Sequence, residues 1–182
     1  MLIHLVLVRG DMATGLKTTS STIIVSGTVT ESGANTFTQA AIDLQLNPLD
    51  NEVFVIQAVD MDVGSPDALA GTDTEVMGSL SQTNRATMGN LSDTNVFGVA
   101  KESIRAAGYV DGGVGFTKVG GETPAIANLD YIAVLATDSF FAQIEGFQNT
   151  VPKTMNFKLY GYRARAAASV YAALVQSELL SS

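Results

Sequence analysis

The alternation of apolar and polar residues predicts β-strands over most of this chain. Ser139 to Phe147 and Thr154 to Arg163 both alternate, as strands with one buried face do. Asn128 to Ala136 is apolar on both faces, which is typical of a central strand buried on both sides. Thr22 to Thr30 and Glu52 to Val59 are rich in β-branched or other apolar residues and also predict strands.

The segments between these strands predict turns and one long loop. A further alternating run, Thr36 to Leu46, lies between turn sequences at residues 31–35 and 47–51. Residues 60–93 are dominated by Gly, Ser, Thr, Asp and Asn, and therefore predict a long loop. Within that loop, Glu75 to Leu80 is a candidate short strand.

Two segments have helical features. Thr94 to Ala107 fits either an amphipathic helix or a strand, because its apolar residues suit both periodicities. Arg165 to Leu180 contains strong helix formers and one apolar face, formed by Ala167, Val170, Tyr171, Leu174 and Val175. The overall pattern is that of a β-sandwich or barrel with a C-terminal helix.

We divide the chain into an N-terminal arm (residues 1–21), a β-sandwich domain (22–165) and a C-terminal helix or tail (166–182). Thr14 to Ser21 is small and polar and predicts a flexible arm. Met12 is a plausible alternative start. If translation begins at Met1, Leu2 to Val8 is either an extra strand or an arm that docks on a neighbour.

Composition and charge exclude several classes of protein. The chain of 182 residues is 46% apolar and 15% charged, which excludes a disordered chain, and the absence of cysteine excludes disulfides and thiolate chemistry. The net charge of −8 argues against a protein whose main function is to bind nucleic acid. Neither terminal apolar segment is long enough to span a bilayer, so we expect a soluble protein.

The residue types needed for catalysis are scarce, and we expect no enzyme activity. His4 is the only histidine and lies in an apolar run, which argues against a catalytic triad or a histidine metal site. The strand acids Asp43, Asp130 and Glu145 have no evident relation to a cleft. The glycine-rich Asp111 to Gly121 lacks the ending of a phosphate-binding loop and predicts a loop or hairpin tip.

An acidic cluster gives one candidate metal site. Asp60, Asp62 and Asp67 lie at spacings that suit a calcium loop, although Gly71 stands where an EF-hand requires glutamate. The alternative is a solvated acidic loop. No other cofactor is expected.

The C-terminal region carries the candidate contact residues. Tyr160 and Tyr162, flanked by Lys158 and Arg163, suit either base stacking or packing against a neighbouring subunit. Because of the net negative charge, we favour subunit contacts and do not expect direct nucleic-acid binding. The candidate contact residues are Tyr160, Tyr162, Arg163, Arg165, Tyr171 and Leu174.

From Thr22 to Arg165, the order of features resembles the single jelly-roll capsid (coat) proteins of icosahedral viruses and phages. The shared features are a small-residue arm, long Gly/Asn/Thr-rich loops and a closing strand pair (ATDSFFAQIEGF and KTMNFKLYGYRARA). The resemblance implies an all-β, jelly-roll-like antiparallel sandwich of seven or eight strands, with one or two short helices. The basic arm with which such coats bind a genome is reduced here to Lys17.

The predicted function is that of a structural subunit that self-assembles into a viral or phage capsid. Its partners would be copies of itself and other virion proteins, with contact to an internal viral membrane as a further option. It would be soluble in the host cytoplasm before assembly and then part of the virion. The alternatives are a secreted or cell-surface ligand-binding module, such as an adhesin or carbohydrate-binding domain, and a trimeric tail, fibre or decoration protein.

Overall fold

The computed structural model describes residues 15–108, 115–122 and 130–180. This part of the chain forms ten β-strands, a short 3-10 helix at Pro48–Asp50 and one α-helix. The strands are β1 (Leu16–Thr18), β2 (Ile23–Thr30), β3 (Thr38–Asp43), β4 (Glu52–Val63), β5 (Thr74–Ser81), β6 (Val96–Arg105), β7 (Gly115–Val119), β8 (Ala133–Leu135), β9 (Ser139–Phe147) and β10 (Thr154–Ala166), followed by helix α1 (Ala168–Leu180).

The strands form two five-stranded antiparallel sheets. In sheet A, β10 pairs with β4 on one side and with β1 and β2 on the other, and β8 pairs with β4. Sheet B has the order β3-β9-β5-β6-β7. The first long strand therefore lies beside the last, and each sheet combines strands from both halves of the chain. This is a jelly-roll arrangement, and it confirms the predicted fold class.

The main core lies between the two sheets. Its largest fully buried side chains include Phe54 and Ile56 from sheet A and Leu80 and Ile144 from sheet B. Phe140 of β9 meets the ring of Phe157 of β10 edge-on, with centroids 5.8 Å apart. The alternation seen in the sequence places these side chains inward, and burying side chains of this size contributes roughly 1.5–3 kcal/mol each.

A second apolar cluster lies on the opposite face of sheet A, beneath α1. It contains Leu16, Val53, Val55, Ala136, Tyr162, Ala164 and Ala166, with apolar residues of the helix packed against it. A β-bulge in β4 allows this strand to contribute to both clusters. Tyr160 of β10 pairs with Ala58, but Gly161 pairs with Ile56, so Gln57 of β4 has no partner and is an inserted residue. The insertion reverses which β4 residues face the core.

The predicted central strand at residues 128–136 is wrong in position. Of residues 130–136, the part of this segment that the structure describes, only Ala133–Leu135 forms a strand, β8, and it lies at the edge of sheet A. Both of its faces are nevertheless covered, because Ala133 and Leu135 face the main core and Val134 packs in the cluster beneath α1. The helix supplies the second buried face that the sequence pattern indicated.

Other boundaries also differ from the predictions. β4 continues to Val63, so the loop starts after Val63 instead of at Asp60, and the candidate strand inside the loop is confirmed as β5. Within Thr94 to Ala107, which fitted either a helix or a strand, Val96–Arg105 forms strand β6 and lies between β5 and β7 in sheet B. The predicted flexible arm ends in β1, and part of the glycine-rich segment is β7. The segments at Leu2 to Val8 and Met12 lie outside the described residues.

Candidate functional site

The acidic residues proposed as a calcium loop do not form one cluster. Asp60 and Asp62 lie on the exposed face of β4, whereas Asp67 lies in the loop after it. Among the described residues, no three acidic or histidine side chains are placed to hold a metal ion. The interpretation of Asp60, Asp62 and Asp67 as one loop is therefore corrected, because strand β4 extends through Asp60 and Asp62.

Asp67 instead ties two loops together at one end of the sandwich. Its carboxylate is paired with the Lys153 ammonium and accepts hydrogen bonds from the backbone N–H and the hydroxyl of Thr150. The hydrogen bond from Lys153, followed by those from Thr150, holds the pKa of the Asp67 carboxyl well below its usual range. A calcium ion at Asp67 would have to displace the Lys153 ammonium.

Glu31 anchors the same end of the molecule and was not identified from the sequence. It is only 4% exposed, and its carboxylate accepts backbone N–H groups of Thr36, Gly146 and Lys153 at 3.0, 2.7 and 2.7 Å. Thr36 lies in the turn between β2 and β3, Gly146 lies in β9, and Lys153 lies just before β10. The sequence showed only a turn at ESGAN, because the distant donors come together in the folded chain.

The part of sheet A not covered by α1 carries an open polar depression of about 440 Å³. It is lined by Ser26, Gly27, Thr28, Asp60, Asp62, Asn156, Phe157 and Lys158. The Thr28 hydroxyl donates to Asn156 Oδ1 at 2.9 Å. Hydroxyl, amide, carboxylate and ammonium groups side by side suit hydrogen bonding to a polar ligand or surface.

The candidate contact residues on β10 have different environments. Tyr162 is buried in the cluster beneath α1, and Tyr160 is half-buried on the neighbouring part of the sheet. Arg163 pairs with Glu52 at 3.1 Å and donates to the carbonyl of Leu44 at 2.9 Å. Arg165 is more exposed and pairs with Asp50 at 2.6 Å. Tyr162 and Arg163 are thus engaged within their own chain.

Helix α1 likewise uses part of its apolar face internally. Tyr171 and Leu174 pack against the cluster beneath the helix, and the Tyr171 hydroxyl donates to the carbonyl of Ala136 at 3.3 Å. Glu178 is buried and accepts the N–H groups of Ala136 and Thr137 at 2.7 and 3.1 Å. Burial raises the pKa of the Glu178 carboxyl, although both hydrogen bonds act in the opposite direction.

Helix α1 also borders an apolar groove of about 550 Å³. Its lining consists of Tyr171, Ala172, Val175, Gln176, Leu179 and Leu180. Leu179 and Leu180 are 66% and 79% exposed. No helix in the described part of the chain is long and apolar enough to cross a membrane.

A buried polar network covers the outer face of sheet B. The amide of Gln143 is fully buried: its Oε1 accepts from the Ser79 hydroxyl at 2.8 Å, and its Nε2 donates to Ser81 and Gln39. The loop between β5 and β6 closes over this network, with the Gly89 N–H donating to Ser79 at 3.2 Å. Gln143 lies on the face of β9 opposite the core residues Phe140 and Ile144, and the covering loop explains its burial.

Comparisons with known proteins do not show a family. No protein-family model and no curated protein matches the chain. A solved structure described as Desmodium yellow mottle tymovirus aligns with 81% of this chain and 87% of its own, at 15% identity and a TM-score of 0.32. A tailspike protein of Acinetobacter baumannii phage AM24 aligns with 79% of this chain and 27% of its own, at 15% identity and a TM-score of 0.14. Scores this low support no inference, so the fold assignment rests on the strand order.

Proposed function

We propose that this chain is a non-enzymatic structural subunit that assembles with copies of itself into a viral or phage shell. The observation that carries the proposal is the apolar groove on α1, which ends in the exposed Leu179 and Leu180. Contiguous apolar surface of this kind marks sites of protein contact. In this proposal the subunit is soluble in the host cytoplasm before assembly and then resides in the virion with other virion proteins.

The charged groups of the sandwich support the same interpretation. Asp67–Lys153 joins two loops, and Glu52–Arg163 joins β4 to β10, where Arg163 also holds the carbonyl of Leu44 in the loop after β3. On sheet B, Glu75 is bonded by Lys101, Arg105 and Ser103. These interactions hold the loops in fixed positions, and a subunit in a regular lattice needs contact surfaces of fixed shape. The jelly-roll fold occurs in capsid proteins but also in lectins and cupins, so it does not decide the function alone.

The test is size-exclusion chromatography with light scattering, followed by negative-stain electron microscopy of the same fractions, with and without calcium. Megadalton particles or curved sheets are the expected result. A monomer at all concentrations would contradict self-assembly. An effect of calcium on particle yield would revive the metal hypothesis for Asp60, Asp62 and Asp67, and a small closed trimer would favour a tail, fibre or decoration protein.

The second candidate function is a ligand-binding module, and the polar depression beside β2 favours it. Its hydroxyl, amide and carboxylate groups suit hydrogen bonds to a carbohydrate. The sequence contains no tryptophan, so a tryptophan platform for sugar stacking is excluded. Glycan-array binding by a stable monomer, abolished by Asn156→Ala, would select this function over the shell subunit.

A further inference from the structure

The outer edge of β2 is an open β-sheet edge with eight residues, IIVSGTVT. The opposite edge of β2 pairs with β10 in continuous register from Ile23↔Gly161 to Thr30↔Thr154. In the described part of the chain, no further strand pairs with β2, and no side chain or loop hydrogen-bonds its remaining backbone groups. Backbone groups left open along such an edge are a template for another strand.

β2 also lacks the features that normally protect an edge from pairing. It contains no charged residue, no proline and no bulge. The other edge strands in the described part of the chain differ: β3 carries Asp43, β7 carries Lys118, and β1 and β8 have only three residues each. Ile24 is 59% exposed on the outer face of β2. Among these edges, β2 is the longest and the one most suited to pairing.

We propose that β2 pairs antiparallel with β2 of a second copy across a two-fold axis, so that the two A sheets become one continuous sheet. The inference deepens the proposed function, on which it rests, by naming one contact between subunits. A two-fold axis requires a strand that is complementary to itself. An uncharged, β-branched strand meets this requirement, because no like charges are placed opposite each other.

The two faces of β2 restrict the register. Ile23, Val25 and Val29 face the core side, whereas Ile24, Ser26, Thr28 and Thr30 face outward. Directly opposed residues in an antiparallel pair share a face, and a shift by one residue would place apolar side chains opposite the wrong face. The axis must therefore pass through a residue and not between two residues, and pairing over the greatest length of Ile23–Thr30 places it at Ser26 or at Gly27. The first register opposes Ser26 to its own copy, and the second opposes Ser26 to Thr28.

Cysteine crosslinking tests this geometry directly, because the natural chain has no cysteine. Opposed residues in an antiparallel pair are close enough for a disulfide. Under mild oxidation, we expect Ser26→Cys to form a covalent dimer in the first register. A Ser26→Cys/Thr28→Cys double variant should crosslink in either register. Ser92→Cys, at an exposed serine in the β5–β6 loop, measures crosslinking by random collision.

A charge variant tests the same contact without cysteine. Ser26→Lys places two like charges directly opposite each other in the first register and at diagonal positions about 7–8 Å apart in the second, and we expect it to weaken dimerisation at least about tenfold in light scattering. Leu49→Lys is the matched control, because Leu49 is 93% exposed on the turn between β3 and β4. Circular dichroism and thermal melting confirm that both variants fold.

The outcomes separate this inference from the proposed function. Crosslinking of the double variant no faster than that of Ser92→Cys, or equal dimerisation of Ser26→Lys and Leu49→Lys, overturns the β2 contact. If particles nevertheless form, the shell function stands without it. Register-specific crosslinking in a protein that stops at the dimer supports the β2 contact and contradicts the shell.

Discussion

At the scale of single residues, the groups that hold the sandwich ends together were the least predictable. Asp67 was identified because it lies in an acidic run, but its partner Lys153 is distant in sequence. Glu31 and Glu178 each bond backbone N–H groups from remote segments. An acid that caps distant backbone groups has no local signature, because its donors become neighbours only when the strands pair.

Asp67 gives a prediction about pH. Its folded pKa is depressed, so the ionised carboxylate contributes stability above its unfolded pKa of about 3.9, and this contribution is lost as the pH falls towards the lower folded pKa. We expect Asp67→Asn to lower the free energy of unfolding by about 1–3 kcal/mol near neutral pH. The difference from wild type should shrink steadily as the pH falls below about 5.

Urea unfolding at a series of pH values measures this difference. Asp130→Asn is the matched control, since Asp130 is exposed, and it should change the free energy of unfolding by less than about 0.5 kcal/mol. A difference between Asp67→Asn and wild type that persists undiminished at pH 2 would show that the carboxylate charge is not its source.

At the scale of elements, alternation predicted the long strands well. β2, β9 and β10 were found close to their predicted bounds, and the C-terminal helix begins three residues after the predicted start. The sequence pattern failed where tertiary structure supplies burial. Residues 128–136 are covered partly by a helix, and Gln143 is covered by a loop. Periodicity records that a face is buried but does not identify what covers it.

The bulge in β4 is the element on which both apolar clusters depend, and Gly161 lies opposite it. A Cβ built at Gly161 would lie 2.4 Å from the carbonyl oxygen of Val55, a backbone atom that has little room to move. We therefore expect Gly161→Ala to lower the free energy of unfolding by about 1–3 kcal/mol, because the added methyl group would overpack the contact between β10 and β4.

Gly120→Ala is the control for this prediction, because nothing lies within 4 Å of a Cβ at that position. Its melting temperature should stay close to that of wild type, whereas that of Gly161→Ala should fall by several degrees. Equal melting temperatures for the two variants would mean that the strands at the bulge separate easily, and that the close approach of β10 to β4 is not essential.

At the scale of the whole molecule, the jelly-roll class followed from the sequence, but the environments of the candidate contact residues did not. Tyr171 and Leu174 were expected to be subunit contacts, yet they pack on their own sheet, while the neighbouring Leu179 and Leu180 are exposed. One helix thus presents apolar residues in two directions. A sequence of apolar positions does not distinguish packing within a chain from packing between chains, because both bury the same side chains.

Net charge and apolar contacts together predict how assembly should depend on salt. Each subunit carries −8, so copies repel one another at neutral pH, whereas the groove on α1 and the edge of β2 are largely uncharged. Salt screens repulsion over a Debye length of about 10 Å at 0.1 M but leaves apolar and backbone contacts in place. We expect the concentration required for assembly to fall as sodium chloride rises from about 0.05 to 0.5 M. Static light scattering across a dilution series measures that concentration, and particles that dissolve at high salt would show that ion pairs hold the subunits together.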